Sequence, residues 1–142
     1  MEENRLFNNW NRALLVSLQL PYRSTSEVQN SLQELSSLAY SLGGEVAGKI
    51  IQVSSQIQPA NFFGKGKLAE IKSTIQKDAI DALLVDNQLS PKQIGNLETL
   101  LDCAVFDRTQ LILEIFAKNA RTHEAKLQIE LAQSEYLLTR LV

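Results

Sequence analysis

Four short apolar runs, separated by segments with helical periodicity, constrain the fold of this chain most strongly. The runs cover residues 13–19, 45–55, 82–86 and 103–107. Strands covered on both faces are near-continuously apolar, and strands that alternate with helices pair in parallel through crossover connections. The sequence therefore predicts an α/β fold in which a four-stranded parallel sheet is flanked by helices.

Capping and breaking residues indicate where the helices begin and end. Ser26 is the expected N-cap of the first helix, and Gly43 and Gly44 stop it. Ser90 followed by Pro91 is typical of a helix start, because Pro is well tolerated at the first helical position. Another helix is expected after the glycine-rich segment at residues 64–67.

Residues 107–141 contain no Pro or Gly and are rich in strong helix formers, which predicts one continuous helix. At about 1.5 Å per residue the helix would be about 50 Å long. A compact domain of about 100 residues has a radius of gyration of only about 13 Å, so part of this helix would protrude. We predict a loose segment at 1–12, an α/β subdomain at 13–107, and a long protruding helix at 108–142, the first half of a helical hairpin.

The apolar pattern of this segment changes along its length. Residues 111–117 form a broad apolar patch suited to packing on the sheet, and residues 118–126 are almost entirely polar. A narrow heptad-like row follows, which predicts a face that pairs with another helix; ordinary core is the alternative. Exposed in this chain, the row would pair with a second copy as a homodimer, fray or cause aggregation. This leucine row comprises Leu127, Leu131, Leu138 and Leu141.

Composition excludes several classes of function. A net charge of −2 and a pI near 5.4 exclude a generally basic nucleic-acid binder, although a local basic patch remains possible. One cysteine, Cys103, and one histidine, His123, exclude an intrachain disulfide and a zinc site, so we expect a buried structural thiol. No apolar run reaches the length of a membrane span, and we expect a cytoplasmic protein.

A basic loop between the second strand and the next helix is the first candidate site. Backbone N–H groups at a helix start attract anions, and lysines nearby in sequence would extend a patch for phosphate or an RNA backbone. Tyr22, Phe62 and Phe63 are candidate stacking surfaces, and packing at the rim is the equal alternative for each of them. The alternative is a flexible turn with solvated lysines. The anion-binding candidates are Lys49, Gly64, Lys65, Gly66 and Lys67, with Lys72 nearby.

The carboxyl ends of the strands form the second candidate site, because ligands of open parallel sheets bind there. Two carboxylates and several basic groups would meet at this rim and bind a metal or a phosphate. The alternative is structural: Asp86 satisfies loop amides, and Asp107 caps the following helix. The rim candidates are Tyr22, Arg23, Asp86, Asn87, Asp107 and Arg108.

Residues 43–49 match the phosphate-loop spacing GxxxxGK, but two features argue against such a loop. Ile50 stands where Ser or Thr would hold magnesium. A helix precedes the motif and a strand follows it, whereas a phosphate loop needs the reverse order. We therefore interpret the match as accidental.

Three segments together resemble the N-terminal domain of the HflX family of ribosome-associated GTPases. They are FFGKGKLAEI at residues 62–71, VDNQLSPKQIGNLE at 85–98, and the whole of 107–141. The resemblance extends over nearly all of the chain from Ala13 onward.

This resemblance implies an α/β subdomain, a long helical hairpin and a GTPase domain that act together on the ribosome. Such proteins contact the large ribosomal subunit and its RNA and dissociate stalled ribosomes. The second hairpin helix and the GTPase domain, which would be partners in cis, are absent from this chain, so we expect a fragment or a truncated relative. GTP and magnesium belong to that absent domain; we expect no cofactor or enzymatic activity here. The alternative is a domain that binds ATP or GTP at the strand ends and the basic loop.

Overall fold

The computed structural model describes residues 10–140, without the side chains of residues 137, 139 and 140. Its four strands form one sheet in the order β2-β1-β3-β4, and all three pairings are parallel. The predicted α/β class and parallel sheet are confirmed. The strands are β1 (Arg12–Gln19), β2 (Glu45–Val53), β3 (Ala82–Val85) and β4 (Ala104–Asp107).

Five helices accompany the sheet in the described part of the chain. Side chains of α2 and α3 share a buried cluster with Leu14, Val16 and Leu18 of β1, whereas α1 and α4 share another with Ala13 and Leu15. Successive residues of a strand point to opposite faces, so each face of the sheet is covered by two helices. The helices are α1 (Thr25–Ser41), α2 (Lys65–Lys77), α3 (Pro91–Leu101), α4 (Arg108–Asn119) and α5 (His123–Arg140).

Capping boxes start α1 and α3. Ser24 caps α1: its hydroxyl oxygen accepts from the Glu27 amide at 3.1 Å, and its own amide donates to the Glu27 carboxylate at 2.7 Å. The hydrogen bond from the Ser24 backbone lowers the pKa of Glu27. The prediction of Ser26 as N-cap is wrong, because Glu27 completes a capping box only from Ser24. Ser90 and Gln93 form the same arrangement, which confirms the predicted start of α3.

The C-terminal segment is helical, but the prediction of one continuous helix over 107–141 is wrong. Helix α4 ends at Asn119, Ala120 is extended with φ −68° and ψ 130°, and α5 begins at His123. Thr122 accepts a hydrogen bond from the Ala125 amide at 3.0 Å, as an N-cap does. Helix α5 then contacts α3 and α4, and Tyr136 packs against the core. Tertiary packing has overridden a uniform helical propensity.

The apolar patch predicted at 111–117 packs only in part. Leu111 is buried, but Phe116 keeps 55% of its surface exposed. Buried Gln110 and Glu114 lie on the inner side of α4 instead. Within residues 10–140 no helix combines the length and the hydrophobicity needed to cross a lipid bilayer.

Residues just before and at the start of β1 contact the rest of the fold. The Trp10 side chain is buried and contacts Gly44, and the amides of Asn11 and Arg12 donate to the Asp81 carboxylate at 2.9–3.1 Å. Residues 1–9 of the segment predicted to be loose lie outside the described residues. The division into three segments stays a prediction.

Replacing Gly44 with alanine should destabilise the fold, because a Cβ there would overlap the six-membered ring of the Trp10 indole. We expect a loss of about 1–3 kcal/mol in the free energy of unfolding, measured by urea denaturation. The loss should shrink in a Trp10→Leu background. Gly66→Ala is the control: a Cβ there meets nothing within 4 Å and should leave stability unchanged or slightly raised. Equal effects of the two substitutions would contradict this packing.

Candidate functional site

The basic loop (residues 64–67) lies at the N-terminus of α2. Gly64 is the N-cap and offers no side-chain hydrogen bond to the helix, while its own amide donates to Gln52 at 3.1 Å. Lys65 is exposed, and Lys67 pairs with Glu70 at 2.8 Å. An uncapped helix start carries unsatisfied N–H groups and partial positive charge. The geometry is compatible with the predicted anion-binding role, which stays a prediction.

Lys49 is separated from this loop by the sheet. In the β1–β2 register it pairs with Leu15, whose side chain belongs to the cluster beneath α1. Lys49 lines a cleft with Gln29 and Leu32 of α1. The structure therefore divides the predicted lysines between the two faces of the sheet. Lys72, by contrast, lies on the same side as Lys65 and shares a cavity with it.

The aromatic residues next to the basic loop are core residues. Phe62 and Phe63 are only 2% and 1% exposed, and their rings meet edge to face with centroids 5.1 Å apart. The prediction that they offer stacking surfaces is wrong, because neither ring presents a face to solvent. Tyr22, at 77% exposure, keeps an open ring at the rim.

A loop that sequence reasoning did not single out borders the basic loop. Gln58 and Phe62 close it by exchanging two backbone hydrogen bonds of 2.9 and 3.1 Å. Gln93 donates to the carbonyls of Gln58 and Pro59, and Asn96 donates to the carbonyl of Ala60 at 2.9 Å. These contacts join the loop to α3, and no sequence signal would have predicted them.

A cavity of about 500 Å³ lies between this loop and α2, and a second of about 320 Å³ lies beside it, between α2 and Leu100 of α3. Both are bordered by Asn61, Lys65 and Leu68. Together they form one groove, which we call the α2–α3 groove. Its two lysines, Lys65 and Lys72, have no carboxylate within ion-pair distance among the described residues.

The rim carboxylate Asp86 forms internal contacts. Its side chain is fully buried and pairs with Arg108 at 2.6 Å and with Arg23 at 3.7 Å. The Ser31 hydroxyl donates to it at 2.9 Å, and Arg108 also donates to the Ser31 carbonyl at 2.7 Å. The carboxylate therefore joins β3, α1 and α4 instead of satisfying loop amides as the alternative expected. Nothing in the sequence singled out Ser31.

The other polar rim residues also bind the protein's own backbone. Asp107 caps α4 by accepting from the Gln110 amide at 3.1 Å, as the structural alternative predicted, and it accepts from the Leu89 amide at 3.3 Å. Asn87 exchanges two hydrogen bonds of 2.8 and 3.0 Å with the backbone of Leu18. Within residues 10–140 no three His, Cys, Asp or Glu side chains converge as metal ligands would.

The GxxxxGK match at residues 43–49 lacks the order of secondary-structure elements that a phosphate loop needs, as the sequence indicated. Residues Glu45–Val53 form β2, so a strand follows the glycines where a phosphate loop needs a helix.

Cys103 is half-buried just before β4. Burial, reinforced by the negative charges of Glu98, Asp102 and Asp81, raises the pKa of its thiol to about 12. A neutral thiol at physiological pH is a poor nucleophile, which agrees with the predicted structural role.

The leucine row lies on the outer side of α5. Leu127, Leu131 and Leu138 are 50%, 61% and 63% exposed, and Leu141 lies outside the described residues. The opposite side of α5 carries buried Gln133 and half-buried Tyr136. Leu127, Leu131 and Leu138 are therefore not core, and pairing of this row with another helix stays a prediction.

These features define an α/β domain whose rim is occupied by internal contacts and whose exposed features are a lysine-bearing groove and a leucine row. A family profile described as GTP-binding GTPase N-terminal matches residues 29–117. The chain belongs to this family. The predicted resemblance to the N-terminal domain of HflX GTPases is thereby confirmed.

Individual relatives support the same family. GTPase HflX of Caldanaerobacter subterraneus subsp. tengcongensis is 44% identical over 142 residues, which are 100% of this chain and 32% of that protein. GTPase HflX of Escherichia coli is 44% identical over 131 residues, covering 92% of this chain and 30% of that protein. The chain thus spans about a third of the length of these curated relatives.

Solved structures share the fold. A GTP-binding protein from the hyperthermophilic archaeon Sulfolobus solfataricus, in complex with GDP, matches with a TM-score of 0.67 and 27% identity. The match covers 92% of this chain and 38% of that chain. The complex of SsGBP with GDP gives a TM-score of 0.71 at the same identity, over 92% and 36% of the two chains.

Removing the charge of Asp86 should weaken the contacts between β3, α1 and α4. We expect Asp86→Asn to lower the free energy of unfolding by about 2–4 kcal/mol, because two arginines lose a buried partner. Glu34→Gln is the matched control: Glu34 pairs with the same Arg108 at 3.5 Å but is 73% exposed, so its loss should stay below about 1 kcal/mol. Similar losses in urea denaturation would contradict the internal role of Asp86.

The raised pKa of Cys103 should make its thiol slow to react. With a pKa of about 12 instead of 9.0, the thiolate fraction near pH 8 is about a thousandfold smaller than in an ordinary cysteine. Raising the pH favours the thiolate. The rate at which Cys103 of the folded chain reacts with a chromogenic disulfide should therefore still rise about tenfold per pH unit near pH 10. The urea-unfolded chain should level off near pH 9. If the rate for the folded chain also levelled off near pH 9, the raised pKa of Cys103 would be contradicted.

Proposed function

We propose that this chain is the non-catalytic N-terminal domain of an HflX-type GTP-binding protein that associates with the large ribosomal subunit and helps dissociate stalled ribosomes. One observation supports the basic loop as the contact surface. The loop presents lysines and an uncapped helix start to solvent, whereas the polar side chains of the rim contact other residues of the protein. A cytoplasmic location follows from such a partner.

Ribosomal RNA suits this surface because phosphates bind both lysine ammonium groups and helix N-termini. A few lysines suffice for a local contact even in a chain of net charge −2. Lys65 and the amides of the first turn of α2 are the residues we assign to it, with Lys67 beside them.

Catalysis is assigned to another part of the parent protein. GTP and magnesium would bind in the GTPase domain of the longer relatives, and this chain would hydrolyse no nucleotide by itself. The alternative, a nucleotide site at the rim, would need Asp86 or Asp107 as a metal ligand. Both carboxylates are already engaged, by Arg108 and by the backbone amides of Leu89 and Gln110. We therefore favour the non-catalytic role.

The leucine row is assigned to pairing with a further helix of the parent protein, which would complete a hairpin beside the GTPase domain. Three leucines at 50–63% exposure form an apolar stripe that water solvates poorly. In this chain alone the same stripe would support a homodimer through α5.

Co-sedimentation with purified large ribosomal subunits tests the proposal. We expect the chain to pellet with subunits at about 50 mM salt and much less at about 200 mM, because phosphate contacts weaken steeply with salt. Lys65→Glu/Lys67→Glu should abolish pelleting. Lys77→Glu/Lys92→Glu, two exposed lysines away from the basic loop, is the control with the same change in charge, and it should pellet as the unchanged chain does.

Two results would overturn this proposal. One is a folded chain that stays in the supernatant at both salt concentrations. The other is magnesium-dependent binding of ATP or GTP that Asp86→Asn removes, since this would support the rim as a nucleotide site.

A further inference from the structure

The α2–α3 groove has a preformed wall. Its loop is closed at Gln58 and Phe62 and fixed to α3 by Gln93 and Asn96. Phe62 adopts a φ of +71° with its ring buried. That conformation is unfavourable for a bulky residue and persists only where surrounding contacts enforce it. The loop is therefore held in one shape at a cost in backbone energy, as is common beside binding sites.

The floor of the groove is apolar. Leu68 and Ala69 of α2 line it, and Leu100 of α3 borders it with 38% of its surface exposed. Its two cavities, of about 500 and 320 Å³, lie in the size range of ligand sites. Large apolar side chains fit such a space better than a phosphate backbone does.

The charge at the groove is of one sign. Lys65 and Lys72 are both exposed, and none of the described residues that line the two cavities is acidic. The two lysines are seven positions apart in the sequence, a distance of about 10 Å along α2. Carboxylates placed seven residues apart on a second helix have the same spacing.

We propose that the α2–α3 groove binds an acidic amphipathic helix of a protein partner. Its large apolar side chains enter the groove, and two acidic residues seven positions apart pair with Lys65 and Lys72. Binding of this kind places apolar anchors three or four residues from each acid. RNA is the less suitable occupant, because the adjacent rings of Phe62 and Phe63 are buried and give bases nothing to stack on. This inference does not depend on ribosome association.

Selection from a display library of random peptides tests the proposal. The complete chain serves as bait, and the Lys72→Glu/Leu100→Ser variant serves for counter-selection. We expect enriched sequences that contain two acidic residues seven positions apart with large apolar residues between them. The single variant Lys72→Glu, which changes an exposed lysine, should also lose binding. This result would show that the double variant does not fail to bind merely because the change at Leu100 disturbs folding.

The selected peptide, made with a fluorescent label, is then titrated by anisotropy. We expect Lys72→Glu to weaken binding at least fivefold and Lys92→Glu, an exposed lysine outside the two cavities, to leave it unchanged. Lys67→Glu should also have no effect, which separates this site from the ribosomal contact. The proposal is wrong if no sequence is enriched, if the enriched peptides lack acidic residues, or if Lys72→Glu binds normally. It is equally wrong if a uridine oligonucleotide, and no peptide, binds in a Lys72-dependent manner.

Discussion

Burial of β1 on both faces is the constraint on which the rest of the structure depends. Seven of its eight residues are buried, and its side chains divide between two separate core clusters. A strand in this position requires a strand on each side and helices above and below. In the order β2-β1-β3-β4 the neighbouring strands are β2 and β3, and α2 with α3 covers one face while α1 with α4 covers the other.

The same constraint accounts for the chemistry of the rim. Polar side chains that follow the ends of buried strands are themselves buried. They therefore need hydrogen-bond or ion-pair partners within the protein. Asp86 finds Arg108 and Ser31, and Asp107 caps α4. In many open sheets this edge is available to ligands. Here its carboxylates join helices together, and the helix start at residues 64–67, the α2–α3 groove and the described leucines of the leucine row are what the domain exposes instead.

The C-terminal segment illustrates how local preference and packing compete. Nothing in its composition breaks a helix, yet α4 ends at Asn119 and α5 turns back against α3 and α4. Burial of Gln133 and part of Tyr136 on one side of α5 leaves Leu127 and Leu131 on the other. The inner side of α5 also carries the half-buried Ala125, Ile129 and Ala132, so the helix has two apolar sides and its leucine-bearing side faces outward.

The sequence by itself determined the strand and helix alternation, the parallel sheet, the start of α3 at Ser90 and Pro91, and the cap at Asp107. The caps and the periodicity of each element rest on neighbours within a few residues, and the parallel sheet follows from the alternation of apolar runs with helical segments along the chain. Tertiary structure alone decided that Lys49 faces α1, that Phe62 and Phe63 are buried, and that Asp86 meets Ser31, 55 residues away. It also created the groove between α2 and α3. Those outcomes depend on strand order and register, which bring distant residues together and which no local pattern encodes.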